Sequence, residues 1–318
     1  MQKDTYIFAL ESSCDETAAA VVKNGREVIS NVVATQIEIH RQYGGVVPEV
    51  AARKHLESIN LVVDEAISQA NMKFEDMDAI AATEKPGLVG CLLVGVNAAK
   101  TLSLIYNKPF IPVNHLKAHV CANYIDTDLK PPFLCLLVSG GHTQLIKVSD
   151  YGKEEIIGET MDDSVGEAYD KVARLMGLPY PGGIEVDKLA KSGIGDKHRF
   201  KLPKARTSGE FDFSFSGLKT AMLRLVQGLE KEGEELPLHD LCASFQETVS
   251  ATLFEKALSA AKAYGIKQIA LAGGVAANSE IRRKFFDLEN QGFKIYAPKM
   301  KYCTDNASMV GAAAYFLH

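Results

Sequence analysis

The chain has 318 residues, of which 47% are apolar and 24% charged, and its formal net charge at pH 7 is −5. This length exceeds the usual single core of roughly 100–150 residues, so we expect two lobes of similar size. The composition excludes a disordered or fibrous protein. The negative charge gives no general signal for nucleic acid, so any contact with nucleic acid has to be local.

Short apolar runs and scattered cysteines indicate a reduced, soluble protein. The most apolar runs, such as residues 92–96 and 133–138, are shorter than the ~20 residues that a membrane helix needs. The polar start at residues 1–5 does not resemble a secretory signal. The six cysteines include no CxxC pair, which argues against a zinc ribbon or a disulfide framework. We therefore expect a cytoplasmic protein with no membrane partner.

The first half predicts three strands followed by alternating helices and strands. Apolar residues at 6–10, 18–22 and 28–33 predict the strands, and the polar segment 11–17 predicts a loop between the first two. Pro48 opens a helix whose apolar positions include Leu56, Ile59 and Val63. The remaining predicted elements are a strand at 79–83, a helix at 89–106, a strand at 110–113 and a helix capped by Asn114.

The second half repeats this order with an insertion. Strands at 133–138 and 144–148 flank the polar loop 139–143, a further apolar segment lies at 156–157, and a helix follows at 165–176. After a mostly helical insertion at 178–235, the remaining predicted elements are a helix at 239–264, a strand at 268–272, a helix starting near 277, a strand at 293–296 and a last helix at 307–316.

The repeated βββαβα order predicts the fold class. We expect an α/β protein with a duplicated ribonuclease H-like fold, as in actin, Hsp70 and sugar kinases, with a nucleotide cleft between the lobes. The first lobe would span residues 1–131 and be completed by a C-terminal helix at 303–318. The second lobe would span residues 132–302.

A candidate metal site begins with two histidines on one helix. His115 and His119 are four residues apart, so both imidazoles lie on the same helix face. Two histidines on a helix are more often solvated or satisfied in a core. Peptidase helices of the HExxH type carry a glutamate after the first histidine, and Leu116 occupies that position here. Asp305 would complete a set of two histidines and one carboxylate, with an ordinary helix cap as the alternative.

Glycine-rich loops are candidates for binding an anion or a nucleotide. Gly140 and Gly141 free the backbone so that successive N–H groups can face an anion. Gly273 lies where a strand leads into a helix N-terminus, which favours phosphate. A tight turn is the alternative for each loop taken alone, and the appearance of a polar loop at matching places in both halves favours the nucleotide.

Two further segments have less specific patterns. Asp170 is a candidate ribose acceptor, and an ion pair with Arg174 at i+4 is the alternative. The basic segment 197–206 includes Lys197, Arg199, Lys204 and Arg206. Such a segment usually faces solvent, and it is the best candidate for contact with a phosphate backbone.

The motifs together resemble the TsaD/Gcp family, whose members make threonylcarbamoyladenosine in tRNA. The matching segments run in order along nearly the whole chain: 9–17, 40–48, 86–88, 114–119, 138–143, 170–183, 213–219, 273–278 and 302–306. The chain departs from the family at Lys85 and Ala118, where the family usually has glycine. Neither departure replaces a residue of the family's site.

The resemblance implies a transferase and a set of site residues. The alternatives from the residues alone are a metal-dependent (glyco)peptidase and an ATP-binding protein like a sugar kinase or chaperone. The implied metal ligands, for Fe²⁺ or Zn²⁺, are His115, His119 and Asp305. The implied contacts of threonylcarbamoyl-AMP are Val138, Ser139, Gly140, Gly141, His142, Asp170, Gly183, Asp187 and Asn278. Glu11, on the loop of the first half, is a candidate catalytic residue.

The resemblance also implies the reaction and the partners. The threonylcarbamoyl group moves from its adenylate to N6 of the adenosine at tRNA position 37, in tRNAs that read codons beginning with adenine, and AMP is released. The implied partners are tRNA, TsaB-like and TsaE-like proteins, and a TsaC/Sua-type synthase that makes the adenylate. ATP with Mg²⁺ is a further candidate cofactor of such a complex.

Overall fold

The computed structural model describes residues 3–205, 207–233 and 235–318, so Arg206 of the basic segment lies outside the described residues. The strands are β1 Tyr6–Glu11, β2 Glu16–Lys23, β3 Glu27–Thr35, β4 Ala79–Lys85, β5 Phe110–Asn114, β6 Phe133–Val138, β7 Thr143–Asp150, β8 Lys153–Glu159, β9 Gln268–Ala272 and β10 Lys294–Tyr296. The helices are α1 Ile37–Arg41, α2 Pro48–Ala70, α3 Val89–Tyr106, α4 His115–Cys121, α5 Val165–Leu175, α6 Gly182–Ala190, α7 Ser216–Lys231, α8 Leu238–Ala263, α9 Ser279–Phe286 and α10 Ala307–Leu317. Short 3₁₀ helices lie at Phe74–Asp76, Ala122–Tyr124, Gly274–Ala277, Asp287–Gln291 and Met300–Tyr302.

Two compact units share one sheet topology. The first unit comprises the chain up to Lys130 together with Pro298–His318, and the second comprises Pro131–Ala297. The strand order is β3-β2-β1-β4-β5 in the first sheet and β8-β7-β6-β9-β10 in the second. In each sheet an antiparallel three-stranded meander continues into parallel strands. The predicted duplicated α/β fold is confirmed.

The first unit packs helices against both faces of its sheet. Strand β2 is buried along nearly its whole length, because α2 and α10 both pack against it. Gly311 of α10 allows this approach, since a Cβ there would lie 2.6 Å from Cγ2 of Val22. Pro48 opens α2 as predicted.

The inward face of α2 differs from the predicted one at Leu56. Ile59 and Val63 are buried as expected, but Leu56 is 65% exposed and the neighbouring His55 is buried instead. His55 is satisfied there because its ring nitrogens lie 2.7 Å from Thr17 Oγ1 and 2.9 Å from the Cys14 carbonyl. Leu56 is therefore one of the exposed apolar side chains of α2.

Helix α3 is the one long helix of the described residues with a strongly apolar composition. Its 18 residues have a mean hydropathy of 1.5, so by length and composition alone it passes the test for a membrane span. The core helix of a globular protein passes the same test. Part of α3, including Cys91, Leu92 and Val96, is buried, and the helix contacts β4 and α2.

The second unit has its own core and a less helical insertion than predicted. Leu134, Leu136 and Phe245 are fully buried members of that core. Between 178 and 235 the described residues contain only α6 and α7. Residues 191–205 and 207–215 are not helical, so the expectation of a mostly helical insertion is wrong. Of the six cysteines, none forms a disulfide and five are buried.

Candidate metal centre and anion-binding loops

Three neighbouring parallel strands bring the polar groups of the first unit to one edge of the sheet. Glu11 ends β1, Thr83 lies on the adjacent β4, and His115 directly follows β5. Asn114 starts α4 as predicted, since its side-chain oxygen accepts hydrogen bonds from the N–H groups of Leu116 (3.0 Å) and Lys117 (3.2 Å). This cap fixes the start of α4 and therefore the positions of the two histidines on it.

The structure brings His115, His119 and Asp305 together. His119 Nε2 lies 3.0 Å from Asp305 Oδ1, and His115 Nε2 lies 3.6 Å from the same oxygen. One ligand atom from each of the three residues lies within 4.8 Å of the others. His119 Nδ1 is buried without a hydrogen-bond partner within the described residues. Two imidazoles and one carboxylate form a donor set that suits Zn²⁺ or Fe²⁺.

Asp305 reaches this cluster because another residue caps α10. Asn306 is the N-cap, and its side-chain oxygen accepts from the N–H of Met309 at 3.2 Å. The carboxylate of Asp305 is therefore not the helix cap, which was the alternative that the sequence allowed. It faces the two histidines, although 186 residues separate it from His119.

Glu11 supports the cluster from a fully buried position. One carboxylate oxygen accepts from the N–H of Ser13 at 2.5 Å. The other accepts from Thr83 Oγ1 at 2.6 Å and lies 3.2 Å from His115 Nδ1. Because Glu11 is 0% exposed and both of its oxygens are engaged, it is suited to orient His115.

The charges of the cluster shift its pKa values. Burial raises the pKa of Asp305, but His115 and His119 outweigh burial and bring it to about 2. Burial lowers the pKa of His115, but the charges of Asp305 and Glu11 dominate and raise it to about 9. In the metal-free protein His115 therefore holds a proton at neutral pH, and a metal ion has to displace that proton.

Glu16 is a further buried acidic residue of the first unit that no sequence motif marked as functional. Burial and the neighbouring charges of Asp15 and Asp305 raise the pKa of Glu16 to about 10. Its carboxyl group is therefore protonated at neutral pH, and Thr35 Oγ1 lies 3.2 Å from Oε1. Two adjacent carboxylates in a short loop between buried strands were the available signal.

In the second unit the predicted loop 139–143 is held by the start of α5. Ser164 caps α5 and its hydroxyl donates to the Gly140 carbonyl at 2.5 Å. The N–H of Gly166 donates to the Ser139 carbonyl at 3.2 Å. Gly166 has to be glycine, because a Cβ there would lie 2.6 Å from that carbonyl oxygen. The carbonyl groups of the loop are thus turned toward the protein.

Gly140 and Gly141 differ from the glycines that packing requires. A Cβ at either position would meet no atom within 4 Å. Neither N–H has a hydrogen-bond partner within the described residues. Both residues are exposed. The chain's own packing does not require glycine at these positions, and the open backbone leaves space for the close approach of a ligand.

The other predicted adenylate residues of this unit lie at the starts of α6 and α9 or bond to them. Asp170 accepts from the N–H of Gly182 at 2.8 Å at the start of α6, next to Gly183. Burial raises the pKa of Asp170. Asp187 on α6 accepts from the hydroxyl of Ser279 at 2.6 Å, directly after Asn278. Since β6 and β9 are parallel neighbours, the loop 139–143 and the start of α9 follow the carboxyl ends of adjacent strands.

The basic segment is largely neutralised by α8. Its side chains pair with three acidic residues of that helix: Lys197 with Glu247, Arg199 with Asp240 and Lys204 with Glu255. A segment paired in this way attracts a phosphate backbone less than its sequence suggests.

Comparison with solved structures supports the fold. HypF from T. kodakarensis aligns over 99% of this chain and 48% of its own, with a TM-score of 0.67 and 14% identity. The Acidaminococcus fermentans (R)-2-hydroxyglutaryl-CoA dehydratase component A aligns over 98% of both chains, with a TM-score of 0.54 and 16% identity. The architecture is therefore that of the actin, Hsp70 and sugar-kinase class.

Sequence comparison gives the family. The profile of the family TsaD, tRNA N6-adenosine threonylcarbamoyltransferase, matches residues 27–312. Proteins of that name are 55% identical over 313 residues in Clostridium perfringens (strain SM101 / Type A), covering 98% of this chain and 92% of the relative, and 52% identical over 316 residues in Bacillus subtilis (strain 168), covering 98% and 90%. This chain belongs to that family and is a transferase of tRNA modification. The suspected resemblance is confirmed, and the peptidase and kinase alternatives gain no support.

Proposed function

We propose that this chain transfers the threonylcarbamoyl group from threonylcarbamoyl-adenylate to N6 of the adenosine at tRNA position 37, in tRNAs that read codons beginning with adenine. A bond forms between N6 and the carbamoyl carbon, the bond from that carbon to the phosphate oxygen breaks, N6 loses a proton, and AMP leaves. The observation that carries the proposal is the meeting of His115, His119 and Asp305 in a chain of this family.

One divalent metal ion, Fe²⁺ or Zn²⁺, fits the first unit. His115, His119 and Asp305 would bind it, since Nε2 of His119 and Nε2 of His115 both approach Asp305 Oδ1, at 3.0 and 3.6 Å. The ion would supply a Lewis acid and a template for the activated carbamoyl group. Glu11 would orient His115 through Nδ1, as carboxylates do beside metal-bound histidines.

The adenylate fits the second unit. The unpaired N–H groups of Gly140 and Gly141 would donate to its phosphate, in the space that no side chain fills. Val138, Ser139 and His142 border these donors. Asp170, Gly183, Asp187 and Asn278 would complete the contacts, with the carboxylates suited to ribose hydroxyl groups. Holding the adenylate in a fixed orientation should account for much of the rate.

The proposed partners include tRNA and helper proteins. A TsaB-like protein suits the exposed apolar side chains of α2 and α3, which are Leu56, Leu61, Val89, Leu93, Leu104 and Ile105. If this face binds the partner, Leu104→Asp should abolish co-elution of the two proteins and leave the fold intact. A TsaE-like protein, a TsaC/Sua-type synthase, ATP with Mg²⁺ and a cytoplasmic location complete the proposal.

Nucleoside mass spectrometry of tRNA tests the reaction. Cells depleted of this protein should lose threonylcarbamoyladenosine and regain it when the wild-type chain is expressed. Purified chain, adenylate and unmodified tRNA should release one AMP for each nucleoside formed, with helper proteins added where needed. Unchanged modification in depleted cells would refute the transferase, and peptide cleavage without adenylate would revive the peptidase.

A further inference from the structure

Gln246 is a buried amide that joins two of the predicted adenylate residues. It lies on α8 and is 3% exposed. Its Nε2 donates to Asp187 Oδ1 at 3.1 Å, and its Oε1 accepts from Asn278 Nδ2 at 2.8 Å. A side-chain amide donates at one end and accepts at the other. Gln246 therefore sets the orientation of both neighbours at once.

The contacts of Asp187 show what this orientation achieves. Oδ1 accepts three hydrogen bonds, from Gln246 Nε2, from the N–H of Ser279 (3.1 Å) and from the hydroxyl of Ser279 (2.6 Å). Oδ2 lies 3.6 Å from the ammonium group of the half-exposed Lys191. The interior of the unit thus occupies one carboxylate oxygen and leaves lone pairs of the other for a ligand.

Asn278 is held in the same way. Its side-chain oxygen caps α9 by accepting from the N–H groups of Glu280 and Ile281, both at 3.1 Å. Its amide nitrogen donates to Gln246, and Tyr169 Oη lies at 3.4 Å. The side chain of Asn278 is therefore already engaged within the fold, and its position fixes the start of α9.

We propose that Gln246 is a positioning residue for nucleotide binding, which acts by presenting Oδ2 of Asp187 to the ribose and by fixing the start of α9 through Asn278. The inference rests on the proposed adenylate site of the second unit. Gln246 itself does not touch the nucleotide. Its removal weakens binding because Asp187 loses one of the donors that hold its carboxylate.

Titration calorimetry of the full chain with AMP as the probe tests this role. Gln246→Leu should raise the Kd for AMP by about tenfold, since it removes one hydrogen bond to a charged group. In the transfer assay it should raise KM for the adenylate while kcat stays within about threefold. Ser250→Ala is the matched control, because Ser250 is also fully buried on α8 but donates only to the Glu247 carbonyl.

Gln246→Glu gives a readout that a merely structural role would not move. The substituted carboxyl can donate to Asp187 when it is protonated and repels it when ionised, so the loss of AMP affinity relative to wild type should be larger at pH 8 than at pH 6. This isosteric variant also keeps the test decisive if Gln246→Leu does not fold.

Three outcomes decide the inference. AMP affinity within twofold of wild type in folded Gln246→Leu would overturn it, as would an equal loss in Ser250→Ala. A pH-independent loss in Gln246→Glu would also overturn it. A wild-type chain that binds no AMP would refute the proposed adenylate site itself, which is a separate result from the failure of Gln246.

Discussion

The two units have sheets of the same topology but place different polar groups on them. In each unit a polar loop follows the first strand and joins it to its antiparallel neighbour. In the first unit Ser12, Ser13 and Asp15 of this loop are buried, and Glu11 at the end of β1 lies 3.2 Å from His115. In the second unit Gly140 and Gly141 are exposed and have no neighbour within 4 Å of an added Cβ.

This contrast corresponds to two ways in which a protein binds a charged ligand. Buried side chains of fixed geometry suit a metal ion, because desolvated carboxylates and imidazoles need a cation or a proton between them. An open backbone with unused N–H groups suits an anion, because it offers partial positive charge without a side chain. One fold can therefore supply both, provided that the loop residues differ.

The largest expected effect comes from replacing His119, one of the three proposed metal ligands. His119→Ala should lower metal affinity more than about a hundredfold, because it removes a nearly fully buried ligand that faces Asp305. Elemental analysis of the purified protein and the transfer assay measure it. His198→Ala, in the basic segment, is the control and should retain metal. Wild-type metal content in His119→Ala would show that the metal does not bind at this cluster of the first unit.

Metal affinity should depend steeply on pH. With the pKa of His115 at about 9, affinity should rise about tenfold per pH unit between pH 6 and 8, because binding releases that proton. Asp305, with its pKa at about 2, adds nothing in this range. The stability of the metal-free protein should change with pH in the opposite direction to its metal affinity. The raised pKa stabilises the metal-free protein fully below about pH 6.5, and this contribution is lost as pH rises through 9. Competition titrations should be flat if His115 is not a ligand.

Substitution of Glu11 tests how strongly this buried carboxylate contributes to metal affinity. Glu11→Gln should weaken metal binding by roughly 10- to 100-fold, the usual range for a carboxylate that orients a metal-bound histidine. It should also move the pH dependence of binding to lower pH, because the charge of Glu11 raises the pKa of His115. Glu57→Gln on the exposed side of α2 should leave both unchanged. An unchanged metal affinity together with abolished transfer would point to direct catalysis by Glu11.

Substitutions at two glycines test whether the loop 139–143 of the second unit binds the nucleotide. Gly141→Ala should leave stability nearly unchanged and weaken AMP binding by about tenfold, since its Cβ enters only the space assigned to the ligand. Gly166→Ala should instead destabilise the protein by about 1–3 kcal/mol, because its Cβ would overlap the Ser139 carbonyl. Thermal unfolding and calorimetry separate the two results. Unchanged AMP binding in Gly141→Ala would mean that this space is not used by the nucleotide.

The smallest effect is expected in the basic segment. Replacing Lys197, Arg199 and Lys204 together with alanine should change tRNA affinity by less than about threefold, because each is paired with an acid of α8. Filter binding at two salt concentrations measures both the affinity and its salt dependence. A large loss with a reduced salt slope would restore this segment as a tRNA contact.

The sequence determined the order of the elements and hence the class of fold. Apolar periodicity identified the strands, and Asn114 and Pro48 marked helix starts, because these signals depend on neighbours along the chain. The family motifs also pointed to His115, His119 and Asp305. Periodicity was less reliable for α2, where His55 rather than Leu56 is buried.

Only the tertiary structure decided which polar groups meet. Asp305 could not be separated from a helix cap by its sequence, and the ion pairs that neutralise the basic segment join residues about 40 to 50 positions apart. The hydrogen bonds of Gln246 and the raised pKa of Glu16 arise from contacts and charges that form only on folding. Local patterns report which face of an element is buried, whereas a site depends on the approach of several elements, which only the packed fold sets.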